Sequence, residues 1–124
     1  MRLTLLIIFL NSAFCFTQKA EFFCSNRTYK FPVTKEGAII QHTYKVYNKG
    51  KAPFQLLNYD VECSCTSVDI EKEQLQPGDS SFITVTFNTE GRVFYQDRVV
   101  KLFTSIRKKP YLLRFKVKVI PKPS

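Results

Sequence analysis

Two cysteines one residue apart stand in Val61-Glu62-Cys63-Ser64-Cys65-Thr66, between segments that read as strands. In an extended strand, residues i and i+2 project to one face with Cα atoms more than about 6 Å apart, near the outer limit for a disulfide. A bridge between Cys63 and Cys65 therefore requires a turn. Of the two other cysteines, Cys15 lies close to the apolar N-terminal run, which leaves Cys24 as the available thiol. A bridge from Cys24 to Cys63 or Cys65 would tie the segment before the first strand to the loop after the third, contributing about 2–4 kcal/mol. Paired thiolates also suit Cu(I) or zinc, with Cys63 and Cys65 as the candidate metal ligands. No Met or His stands in the local sequence to complete such a site. In a third arrangement these residues simply pack as small hydrophobes where a strand leaves its sheet. The disulfide candidates are thus Cys24, Cys63 and Cys65, and all three arrangements stay open. Redox chemistry of the thioredoxin kind needs Cys-x-x-Cys at a helix N-terminus, and neither the spacing nor a helix is present.

The other chemically capable residues form no catalytic pattern. His42, the single histidine, shares an apolar strand face with Ile40 and Tyr44 and reads as a packing residue. Asp60 and Glu62 flank the cysteines, but carboxylates at a strand end are ordinarily solvated. With no nucleophile–base–acid set in view, the expectation is a protein that is not an enzyme and needs no cofactor. Arg114, Lys116 and Lys118, with Lys101 and Arg107-Lys108-Lys109, make a basic stripe. Such a stripe either binds an anionic glycan or lipid head group, or keeps exposed strands from aggregating edge to edge. Asn26-Arg27-Thr28 fits the N-glycosylation acceptor pattern.

The start of the chain bears on compartment. Arg2, the nearly continuous apolar run Leu3–Leu10 and Asn11-Ser12-Ala13 have the order of a secretory signal peptide. The run is too short to span a bilayer, which takes about 20 apolar residues, and no second apolar run is long enough. Small residues at Ala13 and Cys15, or at Cys15 and Thr17, place cleavage near 15–17. The expected product is secreted or periplasmic. Three thiols then remain in an oxidising compartment, an odd number. The formal net charge of the whole chain is +9, and 1–17 hold only one charged side chain, Arg2. A strongly basic exported protein suits protein partners or an anionic envelope polymer, with nucleic acid excluded by compartment.

The elements that must position these residues are strands. Thr28–Phe31, Ile40–Val46, Pro53–Asp60, Ser67–Ile70, Phe82–Asn88, Val99–Thr104 and Leu113–Val119 alternate or run apolar, separated by turn residues. Turns fall at Lys35-Glu36-Gly37, Asn48-Lys49-Gly50-Lys51, Gln76-Pro77-Gly78-Asp79 and Glu90-Gly91. About seven short strands over some 100 residues predict an all-β, immunoglobulin-like β-sandwich, with a small β-barrel as the competing fold. The chain has no Trp, so its 12 Phe and 6 Tyr must fill the core. The expected organisation is a signal peptide at 1–17, an N-terminal segment at 18–27, the sandwich at 28–120 and a tail at 121–124.

Five stretches carry a resemblance: Lys35-Glu36-Gly37, Asn48-Lys49-Gly50 with Pro53, Cys63-Ser64-Cys65-Thr66, Leu75-Gln76-Pro77-Gly78-Asp79 and Val85-Thr86-Phe87-Asn88-Thr89. In this order the chain resembles domain-of-unknown-function family 1573, found in secreted proteins of Bacteroidetes, from about Phe31 to Val119. The resemblance implies an Ig-like sandwich similar to the domains of sperm-protein and cilia-associated scaffolds, with no catalytic residues. Two positions depart from the family pattern. Ser64 replaces a usual Gly, and Phe94-Tyr95 stand where a Gly tends to follow. The function expected is an exported, non-enzymatic interaction or scaffold module of the cell envelope. A small thiol or copper-handling protein using Cys63 and Cys65 is the alternative.

Overall fold

Alternation at a period of two decides which way each strand faces, and the last strand shows it without interruption. Tyr111, Leu113, Phe115, Val117 and Val119 are buried, while Leu112, Arg114, Lys116, Lys118 and Ile120 are exposed. The structure, a computed structural model, describes residues 18–123. The expected signal peptide at 1–17 lies outside the described residues.

Among the described residues ten strands form in chain order: β1 (Phe22–Phe23), β2 (Thr28–Lys30), β3 (Thr34–Lys35), β4 (Ile39–Asn48), β5 (Phe54–Val61), β6 (Thr66–Ile70), β7 (Gln74–Leu75), β8 (Ser80–Asn88), β9 (Phe94–Thr104) and β10 (Tyr111–Ile120). The seven longer ones answer to the seven expected from the sequence. The three additional strands, β1, β3 and β7, are only two residues long, too short to show a period. Most boundaries shift by one or two residues, and one moves further: β9 begins at Phe94, not Val99. Its first half mixes aromatic and charged residues, and pairing with β10 from Val119↔Phe94 onward makes it a strand.

Two sheets face one another. The smaller has the order β1-β4-β8-β6; the larger runs β2-β10-β9-β5-β7, with β3 also on β10. Most pairs are antiparallel, but β2 and β3 run parallel to β10. The described residues therefore enter the smaller sheet with β1 and cross at Cys24–Arg27 to the edge of the larger one. Residues expected to be an N-terminal segment thus contribute a strand to the smaller sheet. Tyr44, Phe54, Phe87, Phe115, Ile83, Leu102 and Leu113 are among the fully buried side chains between the sheets. The Tyr44 hydroxyl donates to the Arg114 carbonyl at 2.6 Å, which ties β4 to β10 across that core. Burial raises its pKa further above the usual tyrosine value.

Candidate functional site

The Cys63–Thr66 stretch is a corner where the chain changes sheets. β5 ends at Val61 in the larger sheet, and β6 starts at Thr66 in the smaller. Between them the Thr66 N–H donates to the Cys63 carbonyl at 3.2 Å, closing a β-turn. That turn brings the Cα atoms of Cys63 and Cys65 to 5.2 Å, within disulfide range, and pairs their sulfurs with each other. Ser64 does not take a positive φ, so a residue with a side chain serves here as well as the family's glycine. The corner is anchored on both sides: Asn88 N–H donates to the Cys65 carbonyl at 2.9 Å, and Val61 and Cys65 pack against the core.

Cys24 does not reach this corner. Phe23 pairs with Tyr47 at one end of β4. Thr66 pairs with Phe87, which pairs with Ile40 near the other end. Seven residues of strand separate the two levels, on the order of 20 Å, against a limit of about 7 Å for a bridge. Among the described residues Cys24 is instead an unpaired, buried thiol, its Sγ 3.5 Å from the Asn26 carbonyl. Burial pushes its pKa up, which keeps it protonated and inert. Among the described residues, no three His, Cys, Asp or Glu side chains gather closely enough to hold a metal ion. The two sulfurs lie in close contact, the arrangement of a short-loop disulfide.

The carboxylates beside the cysteines engage β9. Glu62 accepts from the Val99 N–H at 3.1 Å and lies 3.9 Å from the Arg98 guanidinium. Asp60 stands opposite Lys101. His42 packs in an aromatic cluster: it stacks on Tyr29 with ring centroids 3.6 Å apart and meets Tyr44 edge-on at 4.7 Å. Burial holds its pKa below the usual histidine value. Asn26 is exposed, so the acceptor pattern lies on the surface. Lys101, Arg114, Lys116 and Lys118 all emerge from the outer face of the larger sheet, whereas Arg107 folds over the Tyr111 ring at 3.7 Å.

At the opposite end of β4 stands a residue the sequence reading treated only as part of a turn. Asn48 is 1% exposed. Its Nδ2 donates to the Ala52 carbonyl at 2.8 Å and the Leu75 carbonyl at 3.1 Å; its Oδ1 accepts from Gly50 N–H at 2.9 Å and Glu21 N–H at 3.3 Å. Every hydrogen-bonding position of the amide is used. Its backbone holds the Gln76–Asp79 turn, donating to Asp79 and accepting from Gly78. That turn has Pro77 followed by Gly78 at φ 85°, the arrangement of a type II turn.

The sequence profile of a family described as "Protein of unknown function (DUF1573)" matches residues 22–119. The chain belongs to this family. Its match starts at β1 and ends in β10, so it takes in both sheets. No curated protein matches by sequence. Among solved structures, a protein of unknown function from Porphyromonas gingivalis W83 superimposes with a TM-score of 0.66 at 11% identity, covering 82% of this chain and 46% of that one. An ASH/PapD-like domain of human CEP192 gives 0.61 at 12% identity, covering 85% and 87%. The VesB protease of Vibrio cholerae gives 0.61 at 10%, covering 82% of this chain but 31% of its own. These likenesses establish the PapD-like, Ig-like fold. The chain spans less than half the length of the bacterial proteins named here.

The five DUF1573 stretches, scattered in sequence, gather in two places. Asn48-Lys49-Gly50 and Leu75–Asp79 meet around the Asn48 amide. Lys35-Glu36-Gly37, Cys63–Thr66 and Asn88-Thr89 meet at the other end, where Thr89 Oγ1 donates to the Ala38 carbonyl at 2.6 Å beside the Cys65–Asn88 hydrogen bond. Glu36 accepts from the N–H groups of Lys122 and Gly91, each at 3.0 Å, and these bonds lower its pKa. The family's marks are therefore the two ends that hold β4 and β8 in place.

Proposed function

We propose that this DUF1573 domain is an exported, non-enzymatic interaction module of the cell envelope, which takes an extended segment of a partner protein by strand addition. The observation that carries this reading is the free edge of β4. Along an antiparallel strand, backbone groups face alternate neighbours. Asn48 N–H donates to Asp79, on the β8 side, and Lys49 N–H donates to Glu21, on the β1 side. By that alternation Gln41, Thr43 and Lys45 direct their N–H and C=O groups away from β8. β1 covers only Tyr47 and Asn48 of this edge, and among the described residues no strand pairs with Ile39–Val46 there. An open edge of this length is a template for a further strand. Export is supported by Arg2, the apolar run Leu3–Leu10 and the small residues that follow it.

The test uses proline, which removes the N–H donor but is tolerated on an edge. Gln41→Pro is expected to leave thermal stability nearly unchanged and to abolish photo-cross-links from position 43 to envelope proteins. Cross-links that persist in Gln41→Pro would overturn strand addition. N-terminal sequencing of the protein recovered from its source should find a mature start within a few residues of Gln18. An unprocessed chain in the cytoplasm would overturn the export reading.

A further inference from the structure

Two features that oppose folding meet in one patch on the outer face of the larger sheet, and a third stands next to it in the chain, at the start of β9. Phe94 has a φ of 67°, the left-handed region that bulky side chains avoid. Lys30 and Lys116 are direct partners on adjacent strands, and like charges so placed repel. Tyr95 and Val33 are 79% and 60% exposed. Strain, like-charge pairing and exposed apolar surface together are what a binding site shows when its ligand is absent.

The patch has a shape. The β2–β3 connection lifts Val33 over the sheet, Tyr95 rises from the start of β9, and between them runs an open groove of about 610 Å³. Lys30, Lys116 and Lys118 line it, with Lys118 Nζ 5.4 Å from the Tyr95 ring centroid. The one carboxylate in the lining, Asp97, is engaged by Arg114 at 2.9 Å. The lysines thus keep an unopposed positive charge beside an aromatic wall.

We infer that this groove binds an acidic glycan, a polysaccharide whose carboxylates meet Lys30, Lys116 and Lys118 while the C–H face of a sugar ring lies against Tyr95 and Val33. The charge selects an anion, and the ring platform selects a ligand with a flat apolar face. The open ends of the groove suit a polymer passing through over a small molecule enclosed. This site lies on β9 and β10, separate from the β4 edge, and its success or failure leaves strand addition untouched.

Isothermal titration of the purified protein with a galacturonate oligomer tests the inference. Neutral maltooligosaccharide of equal length and poly-glutamate of equal charge serve as comparison ligands. The galacturonate oligomer is expected to bind at least about tenfold more tightly than either. Lys116→Gln with Lys118→Gln should weaken it about tenfold and flatten its salt dependence. Tyr95→Ala should weaken it comparably with the salt dependence retained. Lys101→Gln, on the same face outside the groove, should change nothing, and circular dichroism confirms that each variant is folded. Absence of binding overturns the inference. So does poly-glutamate binding as tightly with Tyr95→Ala silent, which would assign the groove to acidic peptides. A Lys101→Gln effect equal to the groove variants would reduce the site to general surface charge and overturn it too.

Discussion

The two ends of β4 solve the same problem with different chemistry. Each must hold a place where the chain leaves one strand and enters another. At the Asn48 end a single buried amide satisfies two carbonyls and two N–H groups, and Gly50 lets the backbone of residues 19–21 lie directly against it. At the Cys63–Cys65 end the clamp is a covalent closure within three residues, backed by hydrogen bonds from Thr66 and Asn88. The first joins segments far apart in sequence and the second joins near neighbours. Long-range ties hold the tertiary structure; a short-range one shapes a corner.

If that contrast is right, the Asn48 end is where substitution is most damaging. Asn48→Ala leaves buried backbone groups without partners and should cost about 3 kcal/mol in urea denaturation. A loss no larger than that at the cysteine corner would erase the distinction. Gly50→Ala sharpens the same point, because a Cβ there would overlap the Lys19 carbonyl oxygen and the Glu21 nitrogen. The expected result is loss of hydrogen-exchange protection confined first to β1 and the facing end of β4.

Removing the corner clamp should matter less. Closing a three-residue loop restricts the unfolded chain by only about 1.5 kcal/mol, so the Cys63→Ser, Cys65→Ser double variant should lose no more than that. A bridge from Cys24 would close about 40 residues and contribute about 4 kcal/mol. Reduction that destabilises by the larger amount would contradict the pairing described here, and peptide mapping under non-reducing conditions would show it directly.

Phe94, at the start of β9, is a smaller case with the opposite sign. It takes the conformation of a glycine and buries little, so Phe94→Gly should raise stability by about 1 kcal/mol in the same denaturation. A loss would mean that the ring packs more than its exposure indicates.

The smallest effect concerns His42, between the two ends. Its folded pKa lies below the ordinary 6.5 because burial disfavours the charged ring. The unfolded chain therefore takes up a proton first. Stability should be full above about pH 6.5 and decline as pH falls through that value, levelling off below the folded pKa. His42→Gln should flatten that stretch of the stability–pH curve. Glu36, whose pKa is lowered, acts in a separate window: its contribution is present above the ordinary 4.5 and lost as pH falls through its folded pKa.

How much of this was legible differs from residue to residue. Leu113 to Val119 announced their strand and its buried face, since an alternating pattern has only one good way to bury itself. Pro77-Gly78 announced its turn. The cysteine spacing announced that a bridge between Cys63 and Cys65 would need a turn, and the turn is there. Asn48 gave no such signal, because an amide in Asn-Lys-Gly looks like any turn residue until Leu75 and Glu21 arrive beside it. Tyr95 was equally silent: its role depends on Val33 and Lys30, more than sixty residues earlier, being laid alongside by the parallel pairing of β2 with β10.

By itself, then, the sequence determined the all-β class, the seven principal strands and their inward faces, because periodicity and turn chemistry act over a few residues, while the family was carried by the resemblance of its motifs. Which thiols meet, which edge stays open, and which lysines share a groove were decided only by tertiary structure. Those outcomes depend on sheet order and register, and register is set by pairing between strands that no local pattern encodes.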